Sequence, residues 1–401
     1  MTELIITAGT AISAMGRGIE ATQRCLQNKQ HTLQPDQFQP TGHGYIGRVV
    51  GVEEHVIPPH LAQFDCRNNR LADMALMTDG FIETVKTASA HYGPHRIAVI
   101  MGTSTSGILS AEEAYAARTP GDPTLPKSFH YTNTQDLSSL PRYVAARLGV
   151  SGPLLTISNA CASSTRAFID AAHLITSGVC DAAIVGGADS LCRMTLQGFT
   201  SLELISPHPA RPCDAERDGI SIGEAAGFAL LERANARPLP LETSSYRARL
   251  VGYGASSDGY HMSSPDPTGA GAIRAMQRAL EHAHLPAKAI GYINMHGTGT
   301  RANDKMEDSA IYALFGSRVP CSSTKGWSGH TLGASGILET MICAIVLNTH
   351  HLPPCMNSHT TDPTFRSDIL LTARHSRSDY VMNNAFGFGG TNSSLILGRF
   401  A

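Results

Sequence analysis

The sequence predicts an α/β fold made of two similar halves, and three observations carry that prediction. Strand-type and helix-type patterns alternate along most of the 401 residues. Apolar runs such as Ala182-Ala183-Ile184-Val185 are continuous rather than alternating, as in strands covered on both faces. The 38 glycines cluster in short turns between such runs. Alternation of this kind implies parallel strands joined by helices that cover the sheet.

The elements follow in chain order. Leu4-Ile5-Ile6-Thr7-Ala8 begins the first strand. It has Glu3 rather than a basic segment in front and runs into a helical pattern over 18–27, which separates it from a signal peptide. Helical periodicity spans 69–92, with a strand at 96–101 and the loop Gly102-Thr103-Ser104-Thr105-Ser106-Gly107 after it. A helix is expected at 137–148, a strand at 153–157, then a small-residue turn and a helix to about residue 177. Strands at 182–189 and 228–232 complete the first half. The proline-bearing stretch 235–241 reads as a linker, dividing the chain into residues 1–240 and 241–401. The pattern then restarts, with strands at 248–253, 290–295, 319–323, 380–384 and 392–397, and helices at 271–284, 304–315 and 334–349. Each half places a small-residue turn before a helix, at 158–165 and at 329–336, which suggests an internal duplication.

Composition narrows the function. Apolar residues make up 42% and charged residues 16%, as in a compact globular protein. A net charge of −2 gives no reason to expect nucleic-acid or membrane-surface binding. No run approaches the roughly 20 apolar residues of a membrane span. The nine cysteines are odd in number, scattered and without a Cys-x-x-Cys pair. That argues against a disulfide framework or thiolate zinc site and fits a reducing cytoplasm.

Three turns carry chemistry. Cys161 lies in Ser158-Asn159-Ala160-Cys161-Ala162-Ser163-Ser164-Thr165, where a strand gives way to a helix. Free N–H groups and the positive helix end favour a thiolate nucleophile there. His296 ends a strand and opens His-Gly-Thr-Gly-Thr, and His330 closes Lys325-Gly326-Trp327-Ser328-Gly329-His330. Ligand sites in α/β proteins form at such carboxyl ends. The histidines lie 34 positions apart with no ligand spacing around them, which weakens a zinc reading. The turn Asn384-Ala385-Phe386-Gly387-Phe388-Gly389-Gly390-Thr391-Asn392 lets the backbone approach a ligand. Gly102–Gly107 lacks the lysine of a phosphate loop, and 252–255 lacks the third glycine of a dinucleotide fingerprint, so neither ATP nor a redox cofactor is expected.

Taken in order, Asn-Ala-Cys-Ala-Ser-Ser, Arg-Pro-Cys-Asp with Arg217-Asp218-Gly219, His-Gly-Thr-Gly-Thr, Lys-x4-His and Gly-Phe-Gly-Gly-Thr-Asn closely resemble the β-ketoacyl-acyl carrier protein synthases of the elongating Cys-His-His branch. The resemblance covers essentially the whole chain. It implies a thiolase fold, two α/β halves in five αβαβα layers, usually dimeric, and no cofactor. By the same resemblance Cys161 takes an acyl group from an acyl carrier protein, while His296 and His330 flank the malonyl thioester carbonyl. Lys325 and Glu339 would support those histidines, and Phe388 would gate Cys161 and share an oxyanion hole with its backbone. The resemblance further implies substrate contacts at Thr298, Thr300, Phe386 and Gly389. It places the acyl pocket near Gly107, Ile108 and Phe199, and carrier docking at Arg67 and Arg70. Asn294, Glu339, Asn383 and Asn384 match positions where some members hold a structural cation. Cys213 in place of an aromatic residue, and Ala225 in place of glycine, point to a specialised branch making polyene or polyketide-like chains. The partner is then an acyl carrier protein, with assembly as a homodimer or as a heterodimer with a chain-length factor. A non-catalytic partner subunit would lack the cysteine. A coenzyme A thiolase would carry Cys-His-Cys and a C-terminal Cys-x-Gly turn, and a starter-unit synthase Cys-His-Asn.

Overall fold

The computed structural model describes residues 2–39, 42–119, 121–238 and 246–400, so 239–241 of the expected linker lie outside the described residues. Eleven strands form the main sheet. In the first half these are β1 (Leu4–Ser13), β2 (Ile97–Gly102), β3 (Leu154–Ile157), β4 (Ala182–Asp189) and β5 (Ala225–Arg233). The second half supplies β6 (Ala248–Ser257), β7 (Ile290–Asn294), β8 (Pro320–Ser322), β9 (Asp368–Ile369), β10 (Tyr380–Gly387) and β11 (Thr391–Arg399). The spatial order is β9-β8-β7-β10-β11-β6-β1-β5-β4-β2-β3, and a two-residue strand, Gly16–Arg17, pairs with the end of β1.

Within this order the two halves repeat one plan. Three strands of each half pair in parallel, β4-β2-β3 and β10-β7-β8, with β9 extending the second set in parallel beyond β8, whereas β1-β5-β4 and β6-β11-β10 pair antiparallel. The purely parallel sheet expected from alternation is thus only partly realised. The halves join where β1 and β6 run antiparallel, with Leu4 opposite Leu250 and Ile6 opposite Ala248.

Helices form three layers around the sheet. In chain order they are α1 (Ile19–Gln27), α2 (Arg67–Leu76), α3 (Phe81–Tyr92), α4 (Ile108–Ala116), α5 (Ser139–Leu148), α6 (Ser163–Thr176), α7 (Arg193–Ser201), α8 (Ala270–Ala283), α9 (Arg301–Phe315) and α10 (Ser335–Thr349). α6 and α10 pack against each other between the two halves of the sheet, α2, α3 and α5 cover the outside of the first half, and α8 and α9 cover the second. β2 shows why its run is continuous. Ala98 and Ile100 face the central layer, while Ile97, Val99 and Met101 face the outer one.

α10 is buried from Ser335 through Leu347, since it meets sheet on both sides and α6 along its length. The stretch Leu332–Thr349 is long and apolar enough to cross a membrane by length and composition, and 89% of it is buried inside the protein. Gly336 permits the helix crossing: a Cβ there would lie 2.0 Å from the Thr165 hydroxyl.

Two local expectations change. The single helix expected over 69–92 is two, broken where Asp79 and Gly80 turn left-handed with φ of 56° and 67°. The Asp79 carboxylate is held there by the Ile19 N–H at 3.1 Å. Nor was α7 foreseen, because its nine residues give a short window that Gly198 interrupts.

Candidate active site

The local sequence around Cys161 makes a tight elbow. Ser163 Oγ accepts the Asn159 N–H at 2.8 Å and donates to the Ala160 carbonyl at 2.6 Å, closing the turn ahead of α6. Ala160 is forced to φ 48°, a strained value for a residue with a Cβ. The C-terminal turn packs onto this elbow, where Thr391 Oγ1 donates to the Asn159 carbonyl. A Cβ at Gly387 would sit 3.1 Å from the Cys161 nitrogen, so glycine lets the two backbones meet.

Three side chains converge from three elements. Cys161 Sγ and one ring nitrogen each of His296 and His330 lie within 4.8 Å of one another, all buried. The imidazoles meet edge to face with centroids 5.3 Å apart, and Phe386 packs against His296. Behind them Lys325 Nζ donates to Glu339, a buried ion pair.

Electrostatics set the protonation states. Burial, with the Lys325 charge as a lesser cause, drives both histidines well below the usual imidazole range, so they are neutral at pH 7. Burial likewise pushes the Cys161 thiol up to about 11, although Lys325 and the N–H groups of Phe388 and Cys161 pull it down. A helix terminus contributes at most about 2 kcal/mol, and burial prevails. The resting group is therefore the thiol, not the thiolate expected from the helix end. Its alkylation by iodoacetamide, followed by mass on the Cys161 peptide, should keep rising from pH 7 to 10 without a plateau. A plateau below pH 8 would show a thiolate stabilised at rest.

The histidines are not equivalent. His330 Nδ1 accepts the Leu332 N–H at 3.1 Å, and Leu332 reaches that position through φ 53°. Nδ1 is thus the acceptor, and the ring proton sits on Nε2. His296 Nδ1 is buried with no hydrogen-bond partner among the described residues. This also decides against a metal centre. A metal-binding histidine donates its second N–H to an acceptor, whereas the backbone presents a donor to His330, leaving no lone pair free.

Several carboxylates holding these turns were not foreseen. Glu307 accepts the His296 and Gly297 N–H groups at 2.8 and 2.7 Å, and burial pushes it up to about 7. Asp304 accepts Gly299 and Cys213 N–H, fixing the next part of the loop. Asp189 ties the 103–105 loop to Gly333, beside His330. The available signal was an acidic side chain on an otherwise apolar helix face or strand end, as with Asp304, Glu307 and Asp308 on α9.

A cleft of about 320 Å³ leads to Cys161, His296 and His330. Thr298, Thr300, Phe199, Phe386 and Phe388 line it as expected; the two threonine hydroxyls are 2.9 Å apart, and the Phe199 and Phe388 rings lie 5.7 Å apart. Gly389 sits behind Phe388, donating its N–H to the Met262 carbonyl. Gly107 and Ile108 do not line this cleft; Gly107 N–H is bound to the Thr134 carbonyl at the start of α4.

Arg67 is not a docking residue. It is 8% exposed and clamped between Glu53 and Glu224, the latter at 2.6 and 3.0 Å. Glu224 is itself buried and accepts the Val49 and Leu191 N–H groups, so it needs that cation. Arg70 binds both oxygens of Asp65, which spends its charge locally.

The cation positions are partly suitable. Asn294 Oδ1, Asn383 Oδ1 and Glu339 Oε2 are buried without hydrogen-bond partners among the described residues, and Asn294 and Asn383 are paired across β7 and β10. Such hard oxygens suit a structural cation. The Asn384 side-chain oxygen is already taken by Ser394 Oγ at 2.8 Å.

Comparison with known proteins points to one family. Residues 6–237 match the beta-ketoacyl synthase N-terminal domain and 247–359 the C-terminal domain. A 3-oxoacyl-[acyl-carrier-protein] synthase 2 of Rhizobium meliloti is 35% identical over 82% of this chain and 79% of its own. A putative polyketide beta-ketoacyl synthase 1 of Streptomyces cyaneus is 32% identical, over 86% and 84%. The ketosynthase ApeO of Xenorhabdus doucetiae, solved in complex with its chain length factor ApeC, is 39% identical with a TM-score of 0.89, over 100% and 98%. With its Cys-His-His cluster on a duplicated α/β fold, the chain belongs to the β-ketoacyl synthase family, acyltransferases that lengthen an acyl chain by condensation.

Proposed function

We propose that Cys161 carries the growing acyl chain and that His296, His330 and the Phe388 turn perform a decarboxylative condensation with malonyl-acyl carrier protein. The observation that carries this reading is the division of labour between two neutral imidazoles set against one buried thiol. His296 retains a ring lone pair, so it takes the Cys161 proton as sulfur attacks the acyl thioester carbon. The carrier C–S bond breaks, and that proton leaves on the carrier thiol. The tetrahedral oxyanion sits against the N–H groups of Cys161 and Phe388.

In the second half-reaction the malonyl C–C bond breaks and carbon dioxide departs. Its electron pair forms an enolate, whose oxygen accepts Nε2–H bonds from His296 and His330. Neutral donors in a dry site stabilise that charge without preorganisation cost. The enolate carbon then attacks the Cys161 thioester, the C–S bond to Cys161 breaks, the released thiolate takes up a proton from water to regain the resting thiol, and the β-ketoacyl product stays on the carrier. Lys325 and Glu339 hold the charge balance behind the histidines. A cation on Asn294, Asn383 and Glu339 would neutralise the second carboxylate oxygen and stiffen this support.

Intact-mass measurement after incubation with a panel of acyl carrier protein thioesters tests the reading. A mass gain equal to the acyl group, mapped to Cys161, is expected. No acylation by any carrier thioester would sink it.

The chain is best read as two halves, 1–240 and 241–401, the support being the repeated strand order on either side of the β1–β6 junction. Its nine free cysteines, all buried, support a cytoplasmic location. We further take it to be the catalytic member of a pair with a chain-length factor in polyene or polyketide-type synthesis. The likeness to a ketosynthase solved with such a factor supports this, as does the free edge of the sheet. β3 lies at that edge with Leu154 and Leu155 each 39% exposed, and unpaired apolar edges invite another strand. Leu155→Arg should convert a dimer to a monomer by size exclusion with light scattering. A dimer unchanged in the variant places the contact elsewhere.

A further inference from the structure

With Arg67 buried and Arg70 neutralised by Asp65, the expected basic docking segment is spent, and the cations at the cleft mouth become the question. Of the ionisable groups lining the cleft, Asp218 is compensated by Arg211 at 3.2 Å and His208 at 3.1 Å. Asp258 is occupied by Asn392 at 2.7 Å and by the Asp266 N–H at 3.1 Å, and Glu203 is exposed. Arg301 is the one guanidinium on the cleft wall among the described residues. It is exposed and forms no ion pair among them.

Arg301 does not stand alone. Lys305 lies one turn further along α9, also exposed and without an ion pair among the described residues. The same helical face continues to Tyr312, over whose ring the Arg366 guanidinium lies at 4.0 Å. Three cations therefore run as a stripe outward from the cleft. Their placement opposes local stability. Like charges four residues apart repel, and cations at the start of a helix face an unfavourable field. An anionic occupant relieves both.

We propose that this α9 face receives the carrier protein, with the phosphodiester of its thioester-bearing arm against Arg301 and carrier carboxylates against Lys305 and Arg366. The proposal rests on the condensing-enzyme reading above. A phosphodiester accepts paired N–H bonds from a guanidinium, and an arm entering past Arg301 runs by Thr300 and Thr298 toward His296. Condensation of the Cys161-bound acyl group with the malonyl thioesters of three donors separates the contributions: the carrier protein, free phosphopantetheine, and pantetheine without phosphate.

Wild-type enzyme should favour the phosphorylated arm over the unphosphorylated one in kcat/KM, and Arg301→Ala should cut that ratio by about fivefold, the scale of one exposed charge contact. Arg301→Lys should restore part of it. Lys305→Ala with Arg366→Ala should lower kcat/KM for the carrier alone and flatten its salt dependence. An unchanged ratio in Arg301→Ala, or equal losses with all three donors, overturns the proposal. If wild-type enzyme condenses with none of them, the condensing-enzyme reading falls and this proposal with it.

Discussion

Cys161→Ala should abolish acyl loading and lower chain elongation by at least about 10⁴-fold, while malonyl decarboxylation continues. The two half-reactions draw on different groups. Sulfur alone can hold the acyl chain, so its removal leaves no covalent intermediate. The enolate, in contrast, is stabilised by imidazole N–H donors that the substitution leaves in place. His330→Ala should do the converse. Its ring is locked as an Nε2–H donor by the Leu332 N–H, and loss of one oxyanion donor typically costs about 10²–10³. Decarboxylation should fall by that factor while Cys161 still takes up acyl groups. Carbon dioxide release and intact mass, measured in parallel, read the two activities separately. Elongation persisting in Cys161→Ala, or decarboxylation unaffected in His330→Ala, would overturn the assignment.

That division explains which parts of the site were legible in the sequence. Cys161, His296 and His330 stand on turns between strand and helix patterns and Phe388 on a turn between two strands, where glycines and small residues mark close backbone approach. Their motifs announce them one at a time. What the sequence hid is protonation and enclosure. A cysteine near a helix start reads as a thiolate, but burial pushes its thiol up to about 11. Neither the surrounding sheet nor the Phe388 turn is local in the chain. Arg67 failed for a related reason. Its partner Glu224 lies 157 positions away, so a pair that looks like surface charge is an internal clamp. The fold was easier, because β2, β4 and α10 are mostly apolar and need cover on every side. α7 lay beyond reach, since nine residues interrupted by Gly198 are too short a window to read a period.

Asp189→Ala should be the most damaging substitution outside the reacting groups. The carboxylate is fully buried at the end of β4 and accepts five hydrogen bonds. These come from Thr103 Oγ1, the Ser104 N–H, Thr105 Oγ1 and N–H, and the Gly333 N–H at 2.6 Å. Burial raises its pKa, so the array of donors is what keeps a charge tolerable there. Removing it orphans five donors in a space closed to water, each costing about 1–3 kcal/mol if unrelieved. Relaxation of the 103–105 loop recovers part of this, leaving a net loss of about 3–5 kcal/mol. The apparent Tm should fall by about 4–6 °C in differential scanning fluorimetry. Asp189→Asn keeps the volume but turns an NH2 toward donors, so it should recover little. Gly333 lies three residues beyond His330 and follows the Leu332 N–H that fixes its tautomer. Decarboxylation should therefore drop in folded Asp189→Asn even below its melting range. A variant with wild-type Tm and wild-type decarboxylation would show that the loop and the histidine turn hold their positions without this carboxylate.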